Sequence, residues 1–248
     1  MITFLKRYIK RLFIKKQFVL GDINLNSRKG AIHKAWGHIF SNHLFGDYVE
    51  FGIYKGETFF NSISVFREFK SWLKGEKQSD ENWRKNVSEK SVLHQKVFFH
   101  ALDTFEGMPA NNEKNFIYQQ GNFIYPYTEF KKRLDKQKND EIEMHAYKGT
   151  FKNTSDEFKK KMTNRKVSIV NFDCDLEEST TDALNIVKDF IQIGTILLFD
   201  DYNAFNANQN QGQRKSFSEF NKKSEFVFEK YFSYHYSGQS FLCVGIKN

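Results

Sequence analysis

The segment from Val167 to Tyr202 constrains the chain more than any other. It reads V-S-I-V-N-F-D-C-D-L-E-E-S-T-T-D-A-L-N-I-V-K-D-F-I-Q-I-G-T-I-L-L-F-D-D-Y. Val167–Phe172 is an apolar run rich in β-branched residues, and Thr195–Phe199 is a second. Between them Ala183, Leu184, Ile186, Val187, Phe190 and Ile191 recur at helical spacing, and Gly194 supplies a stop. Two buried strands joined by a helical crossover lie parallel in one sheet, so the segment predicts an α/β fold. Each strand closes on acids: Asp173 and Asp175 after the first, Asp200 and Asp201 after the second. Ligands of open α/β sheets bind outside the carboxyl ends of the strands. Four acids gathered there repel one another unless a cation is shared among them.

A chain of 248 residues suits one such domain with additional helices. Its 28 Phe and 11 Tyr predict an aromatic core. Cys174 and Cys243 fall within or at the ends of strand-like runs, which fits buried free thiols in a reducing compartment. The net charge is +8, but residues 1–20 hold six Lys/Arg and no acid, which leaves +2 on the remaining 228 residues. A near-neutral body with a basic tip lacks the footprint of a nucleic-acid-binding protein. No apolar run approaches the ~20 residues that span a bilayer, and charges interrupt any secretory apolar region. The expected location is cytoplasmic.

Leu5, Tyr8, Ile9, Leu12 and Phe13 can share one helical face among those basic residues. This stretch is expected to be a helix that packs on the body or on a second subunit of a homo-oligomer. The alternative is peripheral contact with the inner membrane surface. Residues 1–44 form this helix and a helical lead-in; residues 45–248 form the main domain. There Tyr48–Phe51 reads as the first strand, Gly52–Gly56 as a turn and Thr58–Phe66 as the start of a helix. The G-x-x-x-G spacing lacks the G-x-G-x-x-G of a dinucleotide fold, which disfavours a nicotinamide oxidoreductase. Lys70–Gln95 is polar and is expected to be a surface insertion. Val97–Leu102 and Ile142–Tyr147 are the next strands, and Asp103 closes the first of these, where an acid can accept from a ribose. After a polar loop at Asn203–Gln211 and a helix at Gln213–Lys223, Phe226–Phe232 and Ser240–Ile246 end the chain as a strand pair.

Five segments, in order, are Y-V-E-F-G-I-Y-K-G-E-T, L-D-T-F-E-G-M-P, Y-K-G-T-F-K-N-T, N-F-D-C-D-L-E-E-S-T-T-D-A-L and L-L-F-D-D-Y-N with the downstream G-Q-R-K-S-F-S-E-F. Together they resemble the macrocin O-methyltransferase-like family of S-adenosylmethionine-dependent enzymes, over roughly Asp47 to Val244. The resemblance implies a Rossmann-like class I methyltransferase fold: a mostly parallel seven-stranded sheet, its last strand antiparallel, with helices on both faces. It implies that Gly52, Gly56 and Thr58 shape the cofactor pocket together with Tyr54 and Gly149. It also implies that Glu50 lies near the aminoacyl end of S-adenosylmethionine and that Asp103 holds its ribose. A divalent ion, usually Mg2+, is implied at Asp173, Asp200 and Asp201, with Asp175 in the position of a general base. The family usually has Tyr where this chain has Glu177, which puts an extra carboxylate beside the acceptor pocket.

The chemistry agrees with the residue types. Methyl transfer to oxygen requires the acceptor to be aligned and its proton removed, and a hard cation among carboxylates serves both ends. Oxygen ligands without His or Cys nearby favour Mg2+ over zinc, and Asp175 stands two residues beyond a ligand, ready to take the proton. The expected acceptor, a sugar or glycosylated small molecule or surface glycan, follows from the resemblance alone. Alternatives are a non-sugar acceptor, or a cofactor-binding scaffold of a glycan-assembly complex without catalysis. A nucleic-acid methyltransferase is disfavoured, because N-F-D-C-D stands where a Pro-Pro-Tyr-type motif is expected.

Overall fold

The structure, a computed structural model, describes residues 24–91, 94–112 and 116–247. The helix expected over residues 1–20 lies outside these. The elements run α1 (Arg28–Ser41), β1 (Asp47–Phe51), α2 (Glu57–Glu76), α3 (Asn82–Lys90), β2 (Val97–Asp103), α4 (Tyr127–Asp135) and β3 (Ile142–Lys148). They continue with α5 (Phe151–Lys161), β4 (Val167–Phe172), α6 (Glu177–Val187), β5 (Ile196–Phe199), α7 (Gly212–Lys223), β6 (Phe226–Tyr234) and β7 (Gly238–Ile246). Seven strands form one sheet in the order β3-β2-β1-β4-β5-β7-β6. The pairs from β3 through β5 are parallel, and β7 enters antiparallel between β5 and β6. This is the expected fold class. The strand order reverses between β1 and β4, which opens a crevice at their carboxyl ends.

Side chains of successive strand residues point to opposite faces, so the apolar runs feed two cores. Tyr48, Phe99, Ile169, Ile196 and Leu198 pack on one face with Trp36 of α1 and Phe59, Ile63 and Phe66 of α2. Val49, Phe51, Val170, Phe172, Leu197 and Phe199 face the other way, against Phe158, Ala183, Leu184 and Phe217 of α5, α6 and α7. Phe51, Phe172 and Phe199 are cross-strand partners. Their rings stack nearly parallel, at 5.7 Å and 4.6 Å between centroids. Such contacts add about 0.5–1.5 kcal/mol each beyond the area buried, and a slip of one residue in one strand would turn its ring to the opposite face and break the stack. The stack therefore fixes which residues emerge together from the tops of β1, β4 and β5.

Lys70–Gln95 departs from the expectation of a surface insertion. Its first seven residues continue α2, because Phe69 and Leu73 extend the buried stripe of Ile63 and Phe66, and α3 follows. Cys174 and Cys243 are buried free thiols, as expected. Among the described residues no helix is long and apolar enough to cross a membrane.

Candidate active site

One step past the phenylalanine stack, Gly52, Asp173 and Asp200 lie side by side. The ladder continues through them: Asp173 N–H donates to Phe51 C=O at 2.9 Å, and Asp200 N–H to Phe172 C=O at 3.1 Å. Gly52 has φ +85°, and a Cβ there would stand 2.0 Å from the carbonyl oxygen of Asp173. The closeness of β1 and β4 at the crevice thus requires glycine. Gly56 (φ +76°) precedes the first turn of α2, where a Cβ would meet the Phe130 ring at 2.7 Å.

Asp173, Asp200 and Asp201 each present a carboxylate oxygen within 4.8 Å of the others. The sequence had placed these three at adjacent strand ends, and the structure brings them together. Burial pushes the Asp173 carboxyl well above its usual range, and Asp200 adds to this. Burial also raises Asp201, against a hydrogen bond from Asp175. Asp175 has φ +56°, an uncommon conformation for a non-glycine residue. It is raised by burial and then by Asp201 and Asp173. Oδ2 of Asp201 is buried with no hydrogen-bond partner. An all-oxygen set with crowded charge and an orphaned acceptor fits a hard divalent cation.

The cofactor-side residues occupy the adjoining strand ends. Glu50 is buried at the end of β1, where it accepts a hydrogen bond from Tyr48 Oη. Burial pushes it up to about 8, against that bond and one from Asn171. Asp103 closes β2, and its Oδ2 accepts from the N–H groups of Ile53 (2.5 Å) and Tyr54 (3.0 Å) while Oδ1 accepts from Phe105 N–H (2.6 Å). A carboxylate has about four acceptor sites, so Asp103 anchors the glycine turn with most of its capacity. Tyr54 (φ +48°) is exposed and meets Phe123 edge-on at 5.6 Å. Thr58 is the second residue of α2 and half-buried. Gly149 (φ +149°) follows β3, with its N–H on the Asp103 carbonyl at 3.0 Å.

Four further residues converge here without a signal of their own in the sequence. Arg28, the first residue of α1, pairs with Asp200 Oδ2. Burial opposes its charge, but attraction to Asp173, Asp200 and Asp201 outweighs this and raises its pKa. His235, in the β6–β7 turn, places Nε2 at 3.0 Å from Asp200 Oδ1. Its Nδ1 accepts from Ser237 N–H at 3.1 Å, so Nε2 carries the proton given to Asp200. Tyr118 Oη donates to Asp201 Oδ1 at 3.4 Å. Fully buried Gln213, within the quoted G-Q-R-K segment, joins the two strand tips. It accepts from Asp201 N–H and donates to the Phe172 carbonyl, both at 3.0 Å. Glu177 is held by Lys215 Nζ at 2.6 Å, which neutralises the extra carboxylate.

Strand order, the glycine turn at the crevice and the acids opposite it define a Rossmann-like methyltransferase. Residues 84–226, more than half of the chain, match the family described as Macrocin-O-methyltransferase (TylF). The chain belongs to that family and is an S-adenosylmethionine-dependent O-methyltransferase. Curated protein sequences show no significant match. Among solved structures, the O-methyltransferase NovP is similar over 88% of this chain and 79% of its own, at 18% identity and a TM-score of 0.59. The calicheamicin methyltransferase CalS11 is similar over 86% and 77%, at 15% identity and a TM-score of 0.60. An apo structure of CalS11, described as a TDP-rhamnose 3'-O-methyltransferase, gives 13% identity over 86% and 78% with a TM-score of 0.55. At these identities the likeness is one of fold.

Proposed function

We propose that the chain methylates a hydroxyl of a sugar or of a glycosylated small molecule, with a divalent cation, Mg2+ by preference, at Asp173, Asp200 and Asp201. The observation that carries this reading is the set of three carboxylates from two neighbouring strand tips with oxygens within 4.8 Å. Sugar chemistry is supported by the family's macrocin description and by the TDP-rhamnose activity stated for CalS11.

When bound, S-adenosylmethionine supplies a methyl group whose bond to sulfur breaks as the bond to the acceptor oxygen forms. A divalent cation supplies positive charge that orients the acceptor and lowers the pKa of its hydroxyl. Asp175, whose carboxyl lies beside those of Asp201 and Asp173, is the group assigned to accept the proton released from that hydroxyl. Glu50 would hold the ammonium group at the aminoacyl end of the cofactor. Asp103 receives the ribose with the acceptor capacity left after its three N–H bonds. Gly52, Tyr54, Gly56, Thr58 and Gly149 form the walls around it.

Methyl transfer from S-adenosylmethionine to a panel of glycosides, in Mg2+ and in EDTA, tests the reading. EDTA is expected to abolish turnover and Mg2+ to restore it, and Asp173→Asn should lower it by about a hundredfold or more. Full activity in EDTA, or in Asp173→Asn, would overturn the metal role. Turnover restricted to acceptors without sugars would overturn the substrate class.

A further inference from the structure

Arg28 is poorly placed for the helix that carries it. It occupies the first position of α1, whose opening turn contains no acid, and the N-terminal end of a helix disfavours a cation. Ser27 already caps this end by accepting from Gly30 N–H at 3.0 Å. The reason for an arginine here is therefore across the crevice, at Asp200.

Both oxygens of Asp200 are engaged, in unequal ways. Oδ1 receives Nε2 of His235, whose ring is fixed by Ser237 N–H on Nδ1 and whose backbone N–H donates to the Asn26 carbonyl at 2.5 Å. The His235 side chain is 12% exposed and the Asp200 side chain 4%. Oδ2 receives Arg28, whose side chain is 53% exposed. Arg28 can thus return its charge to water at little cost, whereas Asp200 cannot. Among the described residues Arg28 and His235 are the basic side chains shown paired with the cluster. Because His235 holds Oδ1, the oxygen of Asp200 left for a cation shared with Asp173 and Asp201 is Oδ2, the one that Arg28 now pairs with.

Resting on the metal reading above, we infer that Arg28 is a displaceable counter-cation: it neutralises Asp200 in the metal-free enzyme and gives way when a divalent ion binds. His235 is the fixed partner that keeps the Asp200 carboxylate oriented through the exchange. Metal affinity is set by this competition as well as by the ligands. The arrangement keeps the acids folded together before the ion arrives, and it couples ion binding to the start of α1.

Calorimetric titration of the full chain with MgCl2 alone, and with MnCl2, tests the inference without any turnover. Arg28→Gln is expected to bind either ion about threefold more tightly or better, since the ion then no longer has to displace a half-exposed ion pair, a modest competitor. Its metal-free melting temperature should fall while the rise on adding Mg2+ grows. Arg28→Lys, which keeps the charge without the planar fork, should lie between Arg28→Gln and the native protein, and it serves alone if Arg28→Gln does not fold. His235→Gln should bind the ion no more tightly than the native protein. Unchanged or weaker affinity in both folded Arg28 variants would overturn the inference and leave the metal reading standing. Absence of Mg2+ and Mn2+ binding in the native protein would overturn both.

Discussion

The two ends of the sheet treat a buried acid in opposite ways. At the lower end Asp47, the first residue of β1, is fully buried and fully served. Arg165 donates to both of its oxygens at 2.6 Å, Phe98 N–H adds a bond at 2.8 Å, and His100 stands 3.8 Å away. The Arg165 guanidinium is itself seated 3.5 Å from the centroid of the Phe98 ring. Burial pushes the Asp47 carboxyl up, yet these partners outweigh it and the net direction is down. At the upper end Asp173, Asp175 and Asp201 all move up, because burial and mutual repulsion outweigh the single arginine nearby. Burial alone therefore does not mark a functional carboxylate. A shortage of counter-charge does, since the molecule carries the cost for something that arrives later.

The sharpest way to break that contrast is to remove one charge at each end and measure stability in EDTA. Asp47→Asn leaves Arg165 without its partner and should lose about 3–5 kcal/mol. The sign follows from the lowered pKa: Asp47 stabilises the fold above its unfolded value of 3.8 and loses that contribution as pH falls through the folded value. Asp201→Asn should act the other way. Its raised pKa means that the ionised cluster opposes folding as pH rises above 3.8, so the variant should gain about 1 kcal/mol at pH 8 while metal binding is lost. Urea denaturation of both variants at pH 5 and pH 8 reads the pair. Equal destabilisation by the two substitutions would mean that the upper acids are structural as well.

Glu50 offers a smaller effect with a defined pH window. Its folded pKa of about 8, against 4.5 for the free side chain, is set first by burial. The folded state therefore holds the proton more tightly, and stability from this group declines between pH 4.5 and 8 and is flat above. Binding of the positively charged cofactor should strengthen over the same interval, because the ligand favours ionised Glu50, and it should release protons at pH 7. Glu50→Gln should remove both trends and weaken binding at pH 8 by about tenfold, the scale of one charged hydrogen bond. Calorimetry of S-adenosylmethionine binding at pH 6, 7 and 8 in two buffers of different ionisation enthalpy would show it. A pH-independent native affinity would remove Glu50 from the cofactor site.

The parts of the site legible in the sequence were those fixed by neighbours along the chain. Asp173 and Asp200 met because each follows a strand whose apolar run is unambiguous, and parallel pairing with Phe172 opposite Phe199 sets them level. The glycine turn was visible for the same reason. Arg28, Tyr118 and His235 were not, since each reaches the acids from a helix start, a loop or a hairpin turn whose placement depends on packing far away in sequence. The run from Lys70 to Glu76 continues a helix against its polar composition, because Lys70 is polar in type yet buried in place, within a stripe carried by Phe66, Phe69 and Leu73. Glu177 looked like an added charge at the site only while Lys215, one helix away, was out of view.

The finest test of the contrast applies the same chemical change to a hydroxyl in the surroundings of each acid, through His100 for Asp47 and directly for Asp201. Tyr147 Oη lies 2.9 Å from Nδ1 of His100, whose ring is fully buried and lies against both His145 and Tyr147. Tyr147→Phe keeps the ring but leaves that nitrogen without its partner, so it should cost about 1–3 kcal/mol of stability and leave the turnover of the folded protein unchanged. Tyr118→Phe also keeps its ring, which packs 5.6 Å from Phe205. It removes only the long 3.4 Å bond to Asp201, worth about 0.5–1.5 kcal/mol at most. Stability should barely move, because Asp201 already has an unpartnered oxygen and the bond lost is a long one; the Tyr118 hydroxyl, its pKa raised first by its own burial and then by the charge of Asp201 and Asp175, stays a neutral donor. The loss should instead appear as a fewfold rise in the Mg2+ concentration needed for half-maximal turnover, since Tyr118 helps to aim the carboxylate. Thermal melts and Mg2+ titrations of the two variants should therefore cross: one moves the melting temperature alone, the other the metal requirement alone. If Tyr118→Phe behaved like Tyr147→Phe, the hydroxyl would be one more structural tie, and the boundary of the functional cluster would have to be drawn inside it.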